Sequence, residues 1–150
     1  MLNPSDNKLF YTINSGIAEG ELIGGNLTVL CQLVGTDYLP DTTNKILFLE
    51  DIKEEPYRID RLLTHLKLSK VFEKVNGIVL GEFKKCIPEE PEKSLSLKEV
   101  FAEHFKTLDI PVFYGAKFGH VRDKWTLPVG IKAKIDADKG SITLLEPAVL

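Results

Sequence analysis

The stretch Ile46-Leu47-Phe48-Leu49-Glu50-Asp51 is an apolar run that stops on two carboxylates. Four consecutive apolar residues are typical of a strand buried on both faces, as in a parallel sheet. Glu50 would then stand where a buried strand leaves the sheet, held rigidly and only partly solvated. Two roles are open to it: it orients a histidine, or it caps the next helix, for which Pro56 is a suitable first residue.

The composition of the 150-residue chain is that of one globular domain, with 43% hydrophobic and 27% charged residues. The formal net charge is -3, with Lys and Arg scattered among Asp and Glu. Such a chain has no basic stripe for nucleic acid or an anionic membrane surface. No apolar run approaches the roughly 20 residues that span a bilayer, and residues 1–7 carry no signal-peptide pattern. We expect a cytoplasmic protein in which residues 1–7 are disordered or a linker remnant.

The chain contains two cysteines, which could form a disulfide, and three histidines, which could bind zinc together with the cysteines. They are too few, and wrongly spaced, for a disulfide framework or a zinc site. We therefore expect Cys31 and Cys86 to be free thiols, with Cys31 in the core. We expect no metal and no other cofactor.

The pattern after residue 51 predicts a helix and then another buried strand. The helix begins near Pro56 and continues as far as Val75, and its apolar residues follow the i, i+3, i+4, i+7 rule: Ile59, Leu62, Leu63 and Leu66. The short apolar run Gly77–Gly81 is the next strand. A strand, a helix and a strand in this order indicate a parallel unit of an α/β sheet.

The second half of the chain repeats this pattern and ends differently. Ser96 and Glu99 form a capping box before a helix, and Pro111–Gly115 is a further short strand. Leu127–Ile135 and Ser141–Leu145 flank a Gly-containing turn and predict a β-hairpin. Together the elements predict an α/β domain with a mixed sheet, about three helices and a C-terminal β-hairpin.

The N-terminal part predicts two strands, Lys8–Ile13 and Ala18–Ile23, that pair back on each other. Gly24-Gly25-Asn26 is expected to break the second strand, with Asn26 as the cap of a helix that ends at Gly35. Backbone N–H groups at such a helix start could receive a substrate carboxylate or phosphate. A tight turn with an asparagine cap explains the same residues without any ligand.

His120 leaves the third predicted parallel strand just as Glu50 leaves the first. Parallel strands would bring both side chains to one edge of the sheet, as the base and the orienting acid of a nucleophilic site. His120 alone is equally compatible with a hydrogen-bonded loop histidine. No G-x-S-x-G elbow supplies a nucleophilic serine, and Cys86 has no basic group to activate it. The serines have turn, capping or loop explanations: Ser15, Ser69, Ser94, Ser96 and Ser141.

Several motifs occur in an order that resembles the C-terminal domain of the L,D-carboxypeptidase family, to which the microcin immunity peptidases also belong. The matching motifs are Leu22-Ile23-Gly24-Gly25-Asn26-Leu27, Gly35-Thr36, Ile46-Leu47-Phe48-Leu49-Glu50-Asp51, Glu55-Pro56-Tyr57-Arg58-Ile59-Asp60-Arg61 and Phe118-Gly119-His120. The resemblance covers residues 8–150, and five ordered motifs are far more specific than any one of them.

The resemblance implies a domain of the swivelling β/β/α type, part of a serine peptidase that cleaves L,D bonds in murein tetrapeptide or acts on a peptidyl-nucleotide antibiotic. In that family the serine lies on an N-terminal domain, which is absent here. By resemblance, Glu50 orients His120, His120 is the general base, and Gly24, Gly25 and Asn26 line the substrate site. The resemblance also implies a homodimer. The isolated chain is predicted to be inactive.

Two questions stay open at the level of the sequence. The chain is an excised domain, a truncated product or one half of a split enzyme. Its function is either catalytic support or, as the alternative, binding by a non-catalytic module that retains the fold. The Glu50 and His120 pair favours the catalytic role because folding requires neither residue.

Overall fold

The computed structural model describes residues 9–149, so the predicted N-terminal segment 1–7 lies outside the described residues. The described chain forms seven strands, three α-helices and a short 3₁₀ turn at Pro91–Lys93. The strands are β1 (Tyr11–Asn14), β2 (Ile17–Asn26), β3 (Ile46–Glu50), β4 (Gly77–Gly81), β5 (Val112–Ala116), β6 (Lys132–Asp136) and β7 (Ser141–Leu144). The helices are α1 (Leu27–Gln32), α2 (Pro56–Leu68) and α3 (Leu97–Phe105).

All seven strands belong to one mixed sheet in the order β1-β5-β4-β3-β2-β6-β7. The central strands β2, β3, β4 and β5 run parallel, whereas β1 and the β6–β7 hairpin pair antiparallel at the two sides. Every residue of β3 is buried. The predicted α/β class, mixed sheet, three helices and C-terminal hairpin are confirmed.

The sheet buries a separate apolar cluster on each face. Leu47 and Leu49 of β3 pack with the three helices on one face. Ile46 and Phe48 point the other way and pack with residues of the hairpin, which curls over that face. The alternation explains why the run contains no polar residue before Glu50, since both of its faces are covered.

The predicted pairing of the first two strands is wrong. β1 pairs with β5, and β2 pairs with β6 along its first half and with β3 along its second half. The chain turns a corner at Gly16, and β2 then crosses the starts of the parallel strands, where Asn76 Nδ2 donates to Glu19 O (2.9 Å). Gly20 of β2 allows this close approach, because a Cβ there would lie 2.5 Å from the backbone oxygen of Asn44, which precedes β3.

The predicted strand break at Gly24-Gly25-Asn26 is also wrong. These residues continue β2 and pair in register with Phe48, Leu49 and Glu50 of β3. The neighbouring strand supplies the ladder that the sequence alone does not reveal. Gly24 is required at this point, since a Cβ there would lie 1.9 Å from Phe48 O.

The predicted helix starts are confirmed, but two helices end earlier than predicted: α1 ends at Gln32, not at Gly35, and α2 ends before Val75. Asn26 caps α1 by accepting from Val29 N, Pro56 begins α2, and Ser96 caps α3 in a capping box with Glu99. Helix α2 ends at Leu68 rather than Val75, because the chain reverses at Lys70, which has a φ of +59°. Within residues 9–149, none of the helices has the length and apolar character needed to cross a bilayer.

Candidate active site

The carboxyl ends of the parallel strands form the edge that carries the predicted site residues. Asn26 ends β2 directly opposite Glu50, which ends β3. Strand β4 ends at Gly81, and β5 ends at Ala116, four residues before His120. This edge is where α/β sheets ordinarily bind their ligands, because loops and helix starts converge there.

The loop after β5 must cross β4 to bring His120 to Glu50. Gly81 leaves the necessary space, since a Cβ at that position would lie 2.7 Å from the Phe118 ring. The Phe118 ring is buried and packs edge-on against Phe48 of β3, with ring centroids 5.5 Å apart. The aromatic contact therefore anchors the loop beside β3, two residues before the histidine.

Gly119 places the backbone of the loop directly on the Glu50 side chain. Its φ is +101°, a conformation that favours glycine, and a Cβ would lie 2.5 Å from Glu50 Oε2. The Gly-His order in the motif thus has a steric reason: the glycine allows the approach and the next residue makes the contact.

Glu50 and His120 form a hydrogen-bonded pair in which the acid is covered and the base is accessible. His120 Nδ1 donates to Glu50 Oε2 at 2.8 Å. The Glu50 side chain is 7% exposed and the His120 side chain 50% exposed. Because an ionised carboxylate only accepts, Nδ1 carries the hydrogen of this bond, and Nε2 is the nitrogen that can accept a proton when the ring is neutral. This is the geometry of a general base with its orienting acid.

Asn26 and Asp51 complete the hydrogen bonding beneath this pair. Asn26 Nδ2 lies 3.2 Å from Glu50 Oε1 and 3.1 Å from Asp51 Oδ1. Asp51 also accepts from Thr28 N and Oγ1, at 2.9 and 2.8 Å. The predicted substrate residue Asn26 therefore has its amide hydrogens directed at two carboxylates.

The two predicted glycines of the substrate site differ in their surroundings. Gly24 packs against the backbone of β3, as described above. Gly25 has a φ of +150°, and a Cβ there would meet nothing within 4 Å, so this backbone borders open space at the site edge. The accessible backbone of the motif is thus at Gly25.

Sequence reasoning did not single out Thr28, Gly81 or the steric role of Gly119. Thr28 is recognisable only by its place two residues after the cap Asn26, where its N–H and hydroxyl both reach Asp51. Gly81 looks like an ordinary strand end in the sequence. Both roles depend on neighbours that are distant in the chain.

Neither cysteine has the properties of a nucleophile. Burial, with a further contribution from the Asp51 carboxylate, raises the pKa of Cys31 to about 12. Burial also raises the pKa of Cys86 to about 11. Both thiols are free, as predicted, and such pKa values keep them protonated near neutral pH. The structure thus agrees with the expectation that Cys86 is not an activated nucleophile.

Metal ligands are not clustered in the part of the chain that the structure describes. Across residues 9–149, no group of three or more His, Cys, Asp and Glu side chains is arranged to hold a metal ion.

Known proteins are similar to this chain in sequence and in fold. A probable murein peptide carboxypeptidase of Bacillus subtilis is 42% identical over 128 residues, which are 85% of this chain and 40% of the relative. The microcin C7 self-immunity protein MccF of Escherichia coli is 38% identical over 144 residues, 94% of this chain and 40% of MccF. The chain spans less than half the length of these relatives.

Solved structures agree with this similarity. MccF in complex with glutamyl sulfamoyl guanosine matches with a TM-score of 0.82 and 34% identity, over 94% of this chain and 42% of that one. Another solved form of MccF is an active-site mutant in which a serine, an asparagine and a lysine are replaced by alanine. A muramoyltetrapeptide carboxypeptidase from Oxalobacter formigenes matches with a TM-score of 0.79 and 37% identity, over 91% of this chain and 48% of its own.

The family model for the LD-carboxypeptidase C-terminal domain matches residues 19–135. The matched region contains the whole edge described above, from Asn26 to His120. The resemblance noted in the sequence is confirmed, and its relatives include proteins named as carboxypeptidases and as a microcin self-immunity protein. The chain belongs to the LD-carboxypeptidase family, as its C-terminal domain.

Proposed function

We propose that this chain is the catalytic-support domain of a serine-type carboxypeptidase that cleaves L,D-peptide bonds. It supplies His120 as general base and Glu50 as the acid that orients it. The observation that carries the proposal is the 2.8 Å hydrogen bond between His120 Nδ1 and Glu50 Oε2, with the histidine exposed at the sheet edge. A fold-stabilising pair has no need to present Nε2 to solvent.

The nucleophile in this proposal is a serine on a separate N-terminal domain. In residues 9–149, none of the hydrogen bonds joins a serine hydroxyl to His120. The relatives are more than twice as long as this chain, and an active-site mutant of MccF carries a serine replacement. These facts support an active site that is divided between this domain and another.

The proposed chemistry is acyl transfer. His120 Nε2 takes the proton of the serine hydroxyl as its oxygen attacks the carbonyl of the L,D bond. The resulting imidazolium, stabilised through Nδ1–H by Glu50, returns the proton to the leaving amine. Water then hydrolyses the acyl-enzyme by the same base, which regenerates the serine.

Two substrate classes fit the relatives. The murein peptide carboxypeptidases suggest a murein tetrapeptide that loses its terminal D-amino acid. MccF binds glutamyl sulfamoyl guanosine, which suggests an acidic aminoacyl or peptidyl nucleotide. We propose the murein tetrapeptide as the substrate and place Gly25 and Asn26 along its binding surface.

The proposal is tested by joining this domain to a serine-bearing one. The chain replaces the matching C-terminal part of the Bacillus subtilis relative, and release of D-alanine from murein tetrapeptide is measured. We expect the chimera to be active, and Glu50→Gln or His120→Ala to reduce kcat by about 10³-fold or more. His65→Ala is the matched control, because His65 is exposed on α2 and should leave the rate unchanged.

Failure has a clear form. A folded chimera that releases nothing from murein tetrapeptide, or one whose activity survives His120→Ala, would overturn the proposal. Activity on an aminoacyl sulfamoyl nucleoside alone would keep the role of His120 and replace the substrate. The second candidate, a non-catalytic binding module, would be supported by a folded chimera that binds murein tetrapeptide tightly but releases no D-alanine from it.

Two further properties of the proposed enzyme come from the family resemblance. We propose that the complete protein acts as a homodimer, which sedimentation at several concentrations would test. We also propose that it acts in the cytoplasm on peptides recovered from the cell wall. Fractionation of cells that express a tagged full-length protein would test this location.

A further inference from the structure

Asp51 is the most enclosed charged side chain at the site edge, with 2% of the residue exposed. It accepts four hydrogen bonds: from Thr28 N (2.9 Å), Thr28 Oγ1 (2.8 Å), Ile52 N (2.8 Å) and Asn26 Nδ2 (3.1 Å). Four donors match the four acceptor positions of an ionised carboxylate. Three of these donors belong to Thr28 and Ile52, so the position of Asp51 does not depend on Glu50.

Asn26 connects this fixed carboxylate to Glu50. Its Oδ1 accepts from Val29 N at 3.0 Å, which directs the NH₂ group away from α1 and toward the two acids. Nδ2 has two hydrogens, and it lies within reach of Asp51 Oδ1 and of Glu50 Oε1. One hydrogen for each carboxylate leaves the amide with a single favourable orientation.

We propose that Asp51 is a positioning residue that acts through Asn26 to select which oxygen of Glu50 receives His120. Asn26 occupies Oε1, so Oε2 is the acceptor left for Nδ1–H of the imidazole. A Glu50 carboxylate that is held in this orientation keeps its bond to Nδ1–H, and that bond holds His120 in the tautomer that exposes Nε2. Its importance for hydrolysis rests on the proposed function, whereas the hydrogen-bond chain itself is a property of this domain.

A purely structural role for Asp51 makes a different prediction. Asp51 also ties the start of α1 to the end of β3, and a residue that only did this would affect stability without affecting the imidazole. The deciding measurement must therefore be made on His120. A histidine side chain that is free in water prefers the Nε2–H form, so any loss of positioning should move His120 in that direction.

The experiment records side-chain ¹⁵N spectra of the histidines in the labelled chain at mildly alkaline pH, with His120→Gln for assignment. His104 is an internal reference of the opposite tautomer, because its Nε2 donates to Asp60 Oδ1 at 2.7 Å. In Asp51→Asn we expect the ratio of Nδ1–H to Nε2–H at His120 to fall about fivefold, the effect of one hydrogen bond. The signals of His104 should stay unchanged.

The chain offers a matched control for this substitution. Asp41 Oδ1 accepts from Thr43 N and Oγ1 at 3.0 and 2.7 Å, the same pair of bonds that Asp51 makes with Thr28. Asp41 lies in the loop before β3, and Asp41→Asn should leave the His120 ratio at its wild-type value. A change of the same size in this control would show that the effect is not specific to Asp51, and it would overturn the proposal.

A second variant covers the case in which Asp51→Asn does not fold. Asn26→Ser keeps a good N-cap acceptor for α1 but removes the amide that bridges the carboxylates. The proposal expects the same fall in the His120 ratio, and an unchanged ratio in either folded variant overturns it. The spectra need no serine and no substrate, so an inactive chimera would refute the hydrolase and leave this result standing.

Discussion

At the scale of single residues, the site depends on glycines, which have no side chain, as much as on the reactive residues. Gly81 leaves room for the Phe118 ring, and Gly119 leaves room for Glu50 itself. The loop can therefore cross β4 in contact with the sheet. The reactive pair, Glu50 and His120, is a consequence of this close approach.

Gly119→Ala tests this steric requirement, and Gly130→Ala is its control. Both glycines have positive φ values, +101° and +84°, so each alanine should cost about 1–2 kcal/mol of unfolding free energy from backbone strain. Only at position 119 would the new Cβ collide with Glu50, because Gly130 has nothing within 4 Å. We expect Gly119→Ala alone to disturb the ¹⁵N signals of His120, with stability measured by urea unfolding.

The contradictory outcome is equally specific. If Gly119→Ala keeps the wild-type His120 spectrum, the loop has another route to Glu50 and the contact is not limiting. Equal loss of stability in the two variants, with no change at His120, would reduce Gly119 to an ordinary turn glycine.

At the scale of elements, local patterns were sufficient for most helices and strands. The buried strand that ends at Glu50, the start of α2 at Pro56 and the capping box of Ser96 were all predicted, because each depends on neighbours within four residues. The placement of His120 on the same edge as Glu50 followed from the parallel order of the strands. The site pair was therefore accessible from sequence.

The parts that sequence reasoning missed depend on distant partners. Ser15-Gly16 has the composition of a hairpin turn, yet β1 and β2 do not pair, because β5 and β6 compete for them. Gly24-Gly25 suggests a break, yet β3 supplies a ladder that extends the strand. The hydrogen bonds of Asp51 to Thr28 likewise join two elements, and no local pattern reports them.

The capping box of α3 should make stability depend on pH. Hydrogen bonds from the Ser96 N–H and then its hydroxyl hold the pKa of Glu99 below its ordinary value of 4.5. As the pH falls, Glu99 therefore becomes protonated at a higher pH in the unfolded chain than in the folded one. The contribution of Glu99 is complete above about pH 4.5 and is lost as the pH falls through the lower folded value.

We expect Glu99→Gln to lower the unfolding free energy at neutral pH and to match the wild type in strong acid. Urea unfolding at the two pH values measures the difference. Glu103→Gln is the control, because Glu103 is an exposed carboxylate on the same helix. A difference that is the same at both pH values would show that Glu99 acts without its charge.

At the scale of the whole molecule, two apolar clusters share one set of strands. Alternate residues of β3 face the helices and the hairpin. If either cluster unfolds, the backbone hydrogen bonds of β3 become exposed on that side, which also destabilises the other cluster. Strand β2 strengthens this link, because it pairs with the hairpin along one half and with β3 along the other. The described chain should therefore unfold as one cooperative unit.

Two intrinsic probes can test this cooperativity. Trp125, the single tryptophan, packs against the hairpin cluster, whereas far-UV circular dichroism reports mainly the helices on the other face. We expect both signals to change together in urea, also in Ile135→Ala and Leu63→Ala, each of which should lose about 2–5 kcal/mol. A separate, earlier fluorescence transition in Ile135→Ala would show that the hairpin unfolds independently.

The complete hydrogen bonding beneath Glu50 has a consequence for association. A side chain that must become ordered on binding loses conformational entropy at that moment, which weakens the complex. Here Asp51, Asn26 and Glu50 are already ordered by the fold of this domain, and His120, whose side chain is half exposed, is hydrogen-bonded to Glu50. Whatever group approaches this edge meets a nearly rigid surface, so its binding should resemble rigid-body docking rather than coupled folding.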